Sequence, residues 1–400
     1  MKTINSIVLL LAINSFVFGQ VNQSDYRLSS QDLSFQDNIK TSRELGRLSE
    51  NCLNTGNYAM ALELYDIKQY IINGNQYSSN HVDSTLPNQY FIVPARDYIL
   101  SRSQKEKLII VNESHGQPIH RVFVTSLLEQ LYKNGFRYFA VETIAQDSSA
   151  VYLLNKNKFP IISSGYYSKE PQYGNLIREA LKLGFQIVAY ECTNCEYPAR
   201  EREQARNLKR VFDKDPNAKM LVYCGYGHAC EAIYKDTLMA GHIKYMTGIN
   251  PFTMDQVSLT EHSQSNFESP YYAQFRSPVP SVFIKKTDSA DIFTTNEDGV
   301  YDAEVFHPRT NYVKGRPSWI MLPGRNYVSV NKNANIDVRI DFPFVIQAFS
   351  AEEDPSRAVP VDCIEVQNKD QDVALILNPG KYLLRLYNET QKQEINFSVK

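Results

Sequence analysis

Several things are scarce in these 400 residues. Net charge is one: 42 Lys and Arg stand against 44 Asp and Glu, leaving −2. That balance gives no electrostatic case for binding nucleic acid. Long apolar runs are another. After the N-terminus no segment is long and apolar enough to cross a bilayer, so the chain is expected to have no transmembrane segment. Cysteine is sparse, with six residues, and Cys192-Thr193-Asn194-Cys195 is the one close pair. Without a second CxxC partner a zinc ribbon has little support, and the pair reads as a local disulfide or two free thiols. Cys52 and Cys363 carry no pattern. Tryptophan occurs once, against 26 Tyr. The remainder is ordinary for a globular protein, 43% hydrophobic and 22% charged, and the length allows about two or three domains.

The N-terminus reads as a secretory signal over 1–19. Lys2 is basic, 7–18 is mostly apolar although Asn14 and Ser15 interrupt it, and Val17-Phe18-Gly19 precedes a plausible cleavage point at Gln20. No Cys stands at a lipid-anchor position. The mature chain is therefore expected to be exported, periplasmic or extracellular. Region 20–88 is expected to be helical after a polar lead. Leu45, Leu48, Cys52 and Leu53 mark one apolar face, and Tyr58, Ala61, Leu62, Tyr65 and Ile67 mark another beyond the Asn54-Thr55-Gly56-Asn57 turn. The spacing of Gly56, Tyr58, Ala61 and Tyr65 resembles one tetratricopeptide unit. A lone unit cannot bury its own face, so a helical hairpin packed on the next domain is expected.

Region 89–322 alternates strands and helices. Strands are expected at 107–112, 137–142, 186–191, 219–224, 243–249, 282–286 and 303–307, with helices at 119–134, 173–183 and 198–213 and a further one starting near His228. That alternation predicts an α/β fold, a mostly parallel central sheet flanked by helices. From 323 to 400 the helical period disappears. Strand-like runs at 328–330, 336–342, 344–349, 374–377, 382–387 and 395–399 predict a C-terminal antiparallel β-sandwich.

The chemistry gathers at strand ends. Leu108-Ile109-Ile110-Val111-Asn112-Glu113-Ser114-His115-Gly116-Gln117-Pro118 runs from a buried strand into a turn and a new helix carrying His120 and Arg121. The next strands end on Glu142 and Glu191, and the fourth runs into Gly225-Tyr226-Gly227-His228. Carboxylates closing apolar strands are costly unless they are paired or do work, and open α/β sheets bind ligands at this edge. Glu113, His115, Arg121, Glu142 and His228 are therefore the candidate catalytic residues, with His120, Glu191 and Tyr226 as candidate ligand contacts. Adjacent helical residues point about 100° apart, so one of His120 and Arg121 should face the site. A helix N-terminus near His228 would favour an anion or a neutral imidazole there. Tyr166-Tyr167 suits ligand stacking.

These motifs resemble the superfamily of erythromycin esterases, Tiki-type proteases and ChaN-type haem-binding proteins. The resemblance covers roughly residues 90–320. It rests on Asn112-Glu113-Ser114-His115-Gly116, the helix with Arg121, the strand ending in Glu142, and Gly225-x-Gly227-His228. Arg200-Glu201-Arg202-Glu203-Gln204-Ala205-Arg206-Asn207 is similar to that superfamily's Arg-Asp/Glu-x-x-Met-Ala-x-Asn helix, with Gln204 in place of Met. Gly315-Arg316-Pro317-Ser318-Trp319 is similar to its closing segment. The resemblance implies that His115 is the general base, with Glu113, Arg121, Glu142 and His228 ordering the site. Two features depart from the esterase form: Glu-x-His is one residue shorter, and Gly225 replaces the first His of a His-x-x-His pair. Both point toward the Tiki and ChaN side.

The residues themselves leave two chemistries open. A metal-free hydrolase would use His115 as base, with Glu113 or Glu142 fixing its tautomer. A metal hydrolase would hold a divalent ion through His115, His228 and one of Glu113, Glu142 or Glu191. The substrate would be an ester, lactone or peptide. A haem-holding protein using His and Tyr is the alternative ligand reading. A catalytically silent scaffold that binds protein partners through the N-terminal helices or the C-terminal β-domain is the third.

Overall fold

The structure is a computed structural model and describes residues 26–29, 41–74, 84–144, 148–232, 237–296, 299–333 and 335–400. The expected secretory signal over 1–19 lies outside them. In chain order the elements begin with α1 (Ser42–Asn54), α2 (Tyr58–Asn73), β1 (Tyr90–Pro94), α3 (Ala95–Ser103), β2 (Leu108–Glu113), α4 (Ile119–Lys133), β3 (Tyr138–Val141) and α5 (Ser148–Asn157). There follow α6 (Pro171–Leu183), β4 (Gln186–Ala189), α7 (Ala199–Lys214), β5 (Met220–Gly225), α8 (Met239–Thr247), β6 (Phe252–Asp255), β7 (Ser281–Lys285) and β8 (Ala303–Glu304).

Six strands form the central sheet in the order β4-β3-β5-β2-β6-β8. Every pairing in it is parallel. Apolar runs explain the two middle strands: β2 and β5 are buried along their whole length, as strands covered on both faces must be. Alternate side chains then serve two cores. Ile109 and Val111 pack with Phe123, Leu127 and Leu128 of α4 and Leu176 and Ile177 of α6. Leu108 and Ile110 pack with Ala205 and Leu208 of α7 and Met239 and Ile243 of α8. Each such fully buried side chain contributes on the order of 1.5–3 kcal/mol.

Local signals place the helix ends. Thr41 and Glu44 make a capping box at α1. Glu170 caps α6 by accepting from Tyr173 N, Pro171 opens the helix, and Gly184 closes it at φ 100°. Strand 243–249 is not formed. Met239, Ala240 and Ile243 follow a helical period, α8 occupies that stretch, and Gly248 at φ 69° ends it. The strand expected there is β6, a few residues later. No helix starts at His228 either: Tyr226–Ala229 is a single tight 3-10 turn, too short to present a helix N-terminus. Strand β7 forms as expected but pairs antiparallel with β1, outside the main sheet.

The C-terminal region continues with β9 (Tyr312–Val313), β10 (Arg316–Pro317), β11 (Asn326–Ser329), β12 (Phe344–Ser350), β13 (Asp362–Val366), β14 (Ala374–Leu377), β15 (Gly380–Tyr387) and β16 (Lys392–Val399). A four-stranded antiparallel sheet, β13-β12-β15-β16, faces the β11-β14 pair. Val328, Leu375 and Leu377 from one layer meet Ile346, Leu384 and Leu386 from the other. Residues 336–342 do not form the expected strand. Arg339 N and Asp341 N bond the side chains of Gln393 and Gln391 instead of a ladder. Among the described residues no helix is long and apolar enough to cross a membrane.

Candidate active site

The carboxyl ends of β2, β3 and β5, the segment after β4, and the start of α7 meet at one edge of the sheet. Glu113 ends β2, directly opposite Gly225 at the end of β5. Its carboxylate is fully engaged. Arg121 donates from Nε at 2.8 Å and Nη2 at 3.0 Å, Tyr223 Oη donates at 2.5 Å, and His115 Nδ1 lies 2.9 Å away. Burial pushes this carboxyl's pKa up, but Arg121 and His115 outweigh it and hold the group at about 2. Arg121 reaches on with Nη1 to Glu170, 2.9 Å away, and with Nη2 to the His115 carbonyl, 3.1 Å away. The guanidinium is thus a buried clamp behind Glu113 rather than a ligand contact.

His115 is held by its own environment. Glu113 is ionised, so the proton sits on Nδ1 and leaves Nε2 free to accept. Tyr167 stacks on the ring at 4.3 Å, and Tyr226 meets it edge-on at 5.0 Å. Gly225 makes the close approach possible: a Cβ there would stand 2.4 Å from His115 Cε1, 2.7 Å from Nε2 and 2.9 Å from Glu142 Oε2. Tyr226 sits at φ 43°, a strained value for a bulky residue. Its phenol bonds that of Tyr65, from α2, and lies 3.2 Å from Ser114 Oγ.

A second cluster stands beside the first. Arg200, near the start of α7, donates from Nε to Glu191 Oε1 at 2.9 Å and from Nη2 to Glu191 Oε2 at 2.6 Å and Glu142 Oε1 at 3.0 Å. Gln204 and the Cys192 N–H add bonds to Glu191. Glu142 takes the Gly225 N–H on its other oxygen. Burial disfavours its charge, but His228, His115 and Arg200 hold it ionised far below the usual carboxylate range. His228 Nδ1 bonds Glu201 at 2.8 Å, and Nε2 lies 3.4 Å from Glu142 Oε1. Burial opposes a charge on this ring, yet Glu142 and Glu201 push its pKa up to about 10. Arg200 Nη1 also stands 3.1 Å from Nε2, a bond only a neutral ring could accept. Glu142 and Glu201 decide against that, because a carboxylate at each ring nitrogen favours the charged imidazole. We assign His228 as imidazolium.

Glu113, His115, Arg121, Glu142, Glu191, Tyr226 and His228 therefore come together. His120 does not: it packs against His307 on the far side of the turn. Arg200 and Glu201, quoted above only for their resemblance, are central. Glu170 and Tyr65 carry no local signal of a site, since each arrives from a separate helical segment. Cys192 and Cys195 form a disulfide in the loop between Glu191 and Arg200. Cys224, Cys230 and Cys363 are free thiols, and all three are buried, as is Cys52.

The donor set fits a bound metal poorly. Each imidazole has Nδ1 on a carboxylate, as metal-binding histidines often do. Glu113 has both oxygens occupied, however, and Arg200 already supplies the positive charge between Glu142, Glu191 and His228. Among the described residues no group of three His, Cys, Asp or Glu side chains is arranged to hold a metal ion.

No protein-family model matches the chain, and no curated protein matches it. Among solved structures it is similar to RRSP, a MARTX toxin effector domain from Vibrio vulnificus, at 13% identity and a TM-score of 0.29. The match covers 60% of this chain and 49% of that one, so the chain spans about half of that structure's length. So loose a superposition leaves fold and site to be argued from the residues themselves.

Proposed function

We propose that the protein is an exported hydrolase of the erythromycin esterase, Tiki and ChaN superfamily, cleaving an ester, lactone or peptide bond. One observation carries this reading. His115 is locked by an Arg121–Glu113–His115 chain that fixes the proton on Nδ1 and leaves Nε2 as a base on a partly exposed ring. In the reaction, Nε2 takes a proton from water as its oxygen attacks the carbonyl carbon. The carbonyl oxygen becomes an oxyanion that takes a hydrogen bond from Arg200 Nη1, the guanidinium nitrogen that a charged His228 leaves without an acceptor. The bond to the leaving alkoxide or amine then breaks as His115 returns the proton to it. The basic and apolar N-terminal sequence supports export, and so does the disulfide, which is typical of oxidising compartments.

The test is a panel of ester, lactone and peptide substrates offered to the purified chain and to His115→Ala. The wild type should turn over at least one class, and the variant should be slower by about 10²–10⁴-fold. Equal inactivity across the panel would remove the hydrolase. If hemin gave the wild type a Soret shift that His115→Ala lacks, the site would instead be a haem holder.

A further inference from the structure

We propose that His120 and His307 form one hydrogen-bond relay that holds the turn carrying His115, with His120 Nε2–H donating to His307 Nδ1 directly or through one buried water. Both side chains are wholly buried. Their ring centroids are 4.9 Å apart. His120 Nε2 and His307 Nδ1 are the two ring nitrogens there with no partner among the described residues. Buried polar atoms left unpaired are costly, so two on adjacent rings point to a shared solution.

Backbone groups settle which nitrogen carries each proton. Ser114 N–H donates to His120 Nδ1 at 3.0 Å. An amide nitrogen can only donate, so Nδ1 is bare and the His120 proton is on Nε2. On the other ring, Gln256 Nε2 donates to the Asn112 carbonyl at 2.8 Å. A carbonyl can only accept, which fixes the amide's orientation and turns Oε1 toward His307 Nε2, 3.0 Å away. That nitrogen must therefore carry the His307 proton, leaving Nδ1 bare. The two orphaned atoms are one donor and one acceptor. Joined, they complete a circuit from Ser114 N–H through His120, His307 and Gln256 back to the Asn112 carbonyl. The circuit begins and ends on the two residues that flank Glu113, and His115 follows directly. His120 and His307 are positioning residues for His115; neither touches the reacting atoms.

The rate readout rests on the hydrolase reading, but the imidazole tautomers do not. Nitrogen-15 spectra of the wild-type histidines should show both rings neutral with the proton on Nε2. A direct bond would give a scalar coupling between His120 Nε2 and His307 Nδ1. A bridge would give a cross-peak from the His120 Nε2 proton to a long-lived water. Either outcome supports the relay. A His307 proton on Nδ1, or a His120 Nε2 proton that exchanges freely with solvent, overturns it. His307→Phe strands Gln256 Oε1 and His120 Nε2–H. It should shift the His115 Nδ1–H resonance and lower kcat by up to about 100-fold with KM little changed. His307→Gln offers one donor and one acceptor, and should restore both. An unmoved His115 resonance in His307→Phe would overturn the positioning role. If that variant fails to fold, the wild-type spectra still decide.

Discussion

Glu113 accepts from Arg121 twice, from Tyr223 and from His115, and it can do so only as a carboxylate. An amide at this position would turn a donor toward one of those groups. Glu113→Gln should therefore lose the His115 tautomer and slow kcat by about 10²–10⁴-fold. It should also destabilise the fold by on the order of 3 kcal/mol, since Arg121 keeps only Glu170 of its two buried counter-charges. Steady-state kinetics and urea unfolding measure the two effects separately, and an unchanged kcat would remove Glu113 from the machinery. The same carboxylate carries a pH prediction. Its folded pKa of about 2 lies below the ordinary 4.5. Its stabilisation is thus complete above about pH 4.5 and is lost as pH falls toward 2, a change on the order of 3 kcal/mol. Urea midpoints should drop along that acid limb in the wild type and drop less in Glu113→Gln. Parallel curves would show that other carboxylates carry the acid sensitivity.

Strand β5 shows how an element can shape the candidate site by what it omits. Gly225 has φ −89°, which any residue could adopt, so its smallness matters for contact alone. Gly225→Ala would set a methyl 2.4 Å from His115 Cε1. The fold should persist while kcat falls by about 100-fold, the cost of displacing a positioned base by about 1 Å. Circular dichroism beside kinetics checks this, and full activity would mean that His115 adapts freely. Strand ends of this kind were legible in the sequence. Apolar runs closing on Glu113, Glu142 and Glu191 announce buried parallel strands with ionisable residues at one edge. The misreading at 243–249 has a simple cause: a short apolar stretch fits strand or helix alike, and only its packing on α7 makes α8 a helix. Arg200 was visible as part of a helix motif, but its grip on Glu142 and Glu191 depends on how the loop from β4 returns. His120 could not be separated from Arg121 by spacing, and the sheet edge chose between them. Its spacing places Tyr65 in the hairpin core, whereas the fold sets it against Gly116, where an added Cβ would stand 2.5 Å from its ring.

That last contact belongs to the molecule as a whole, because α1 and α2 roof the site while also resting on the C-terminal sheets. Tyr58 donates to Glu170 at 3.0 Å, which ties the hairpin to the Arg121 clamp. Its ring lies 5.3 Å from Trp319. The turn at Gly56 leaves no room for a side chain against the Cys363 carbonyl and Arg316. Arg316 meets Asp362 at 2.6 Å, with both side chains buried, so one ion pair sits where hairpin, α/β region and β-sandwich converge. Asp362 also accepts from the backbone N–H groups of Ile376 and Cys363. Removing one partner of such a pair leaves an uncompensated buried charge, whereas removing both often costs little. Asp362→Ala should lower stability by about 3–5 kcal/mol, and adding Arg316→Met should recover only part of that loss, because the stranded charge goes while the Ile376 and Cys363 N–H groups stay unpaired. Trp319, the single tryptophan, reports on this junction by fluorescence, while circular dichroism reports on the whole chain. If the three regions unfold as one unit, both signals follow a single transition in the wild type and shift together in Asp362→Ala. A tryptophan transition that separates from the dichroism would show the junction opening while the parallel sheet stays folded, and the roof over His115 would then be the part that melts first.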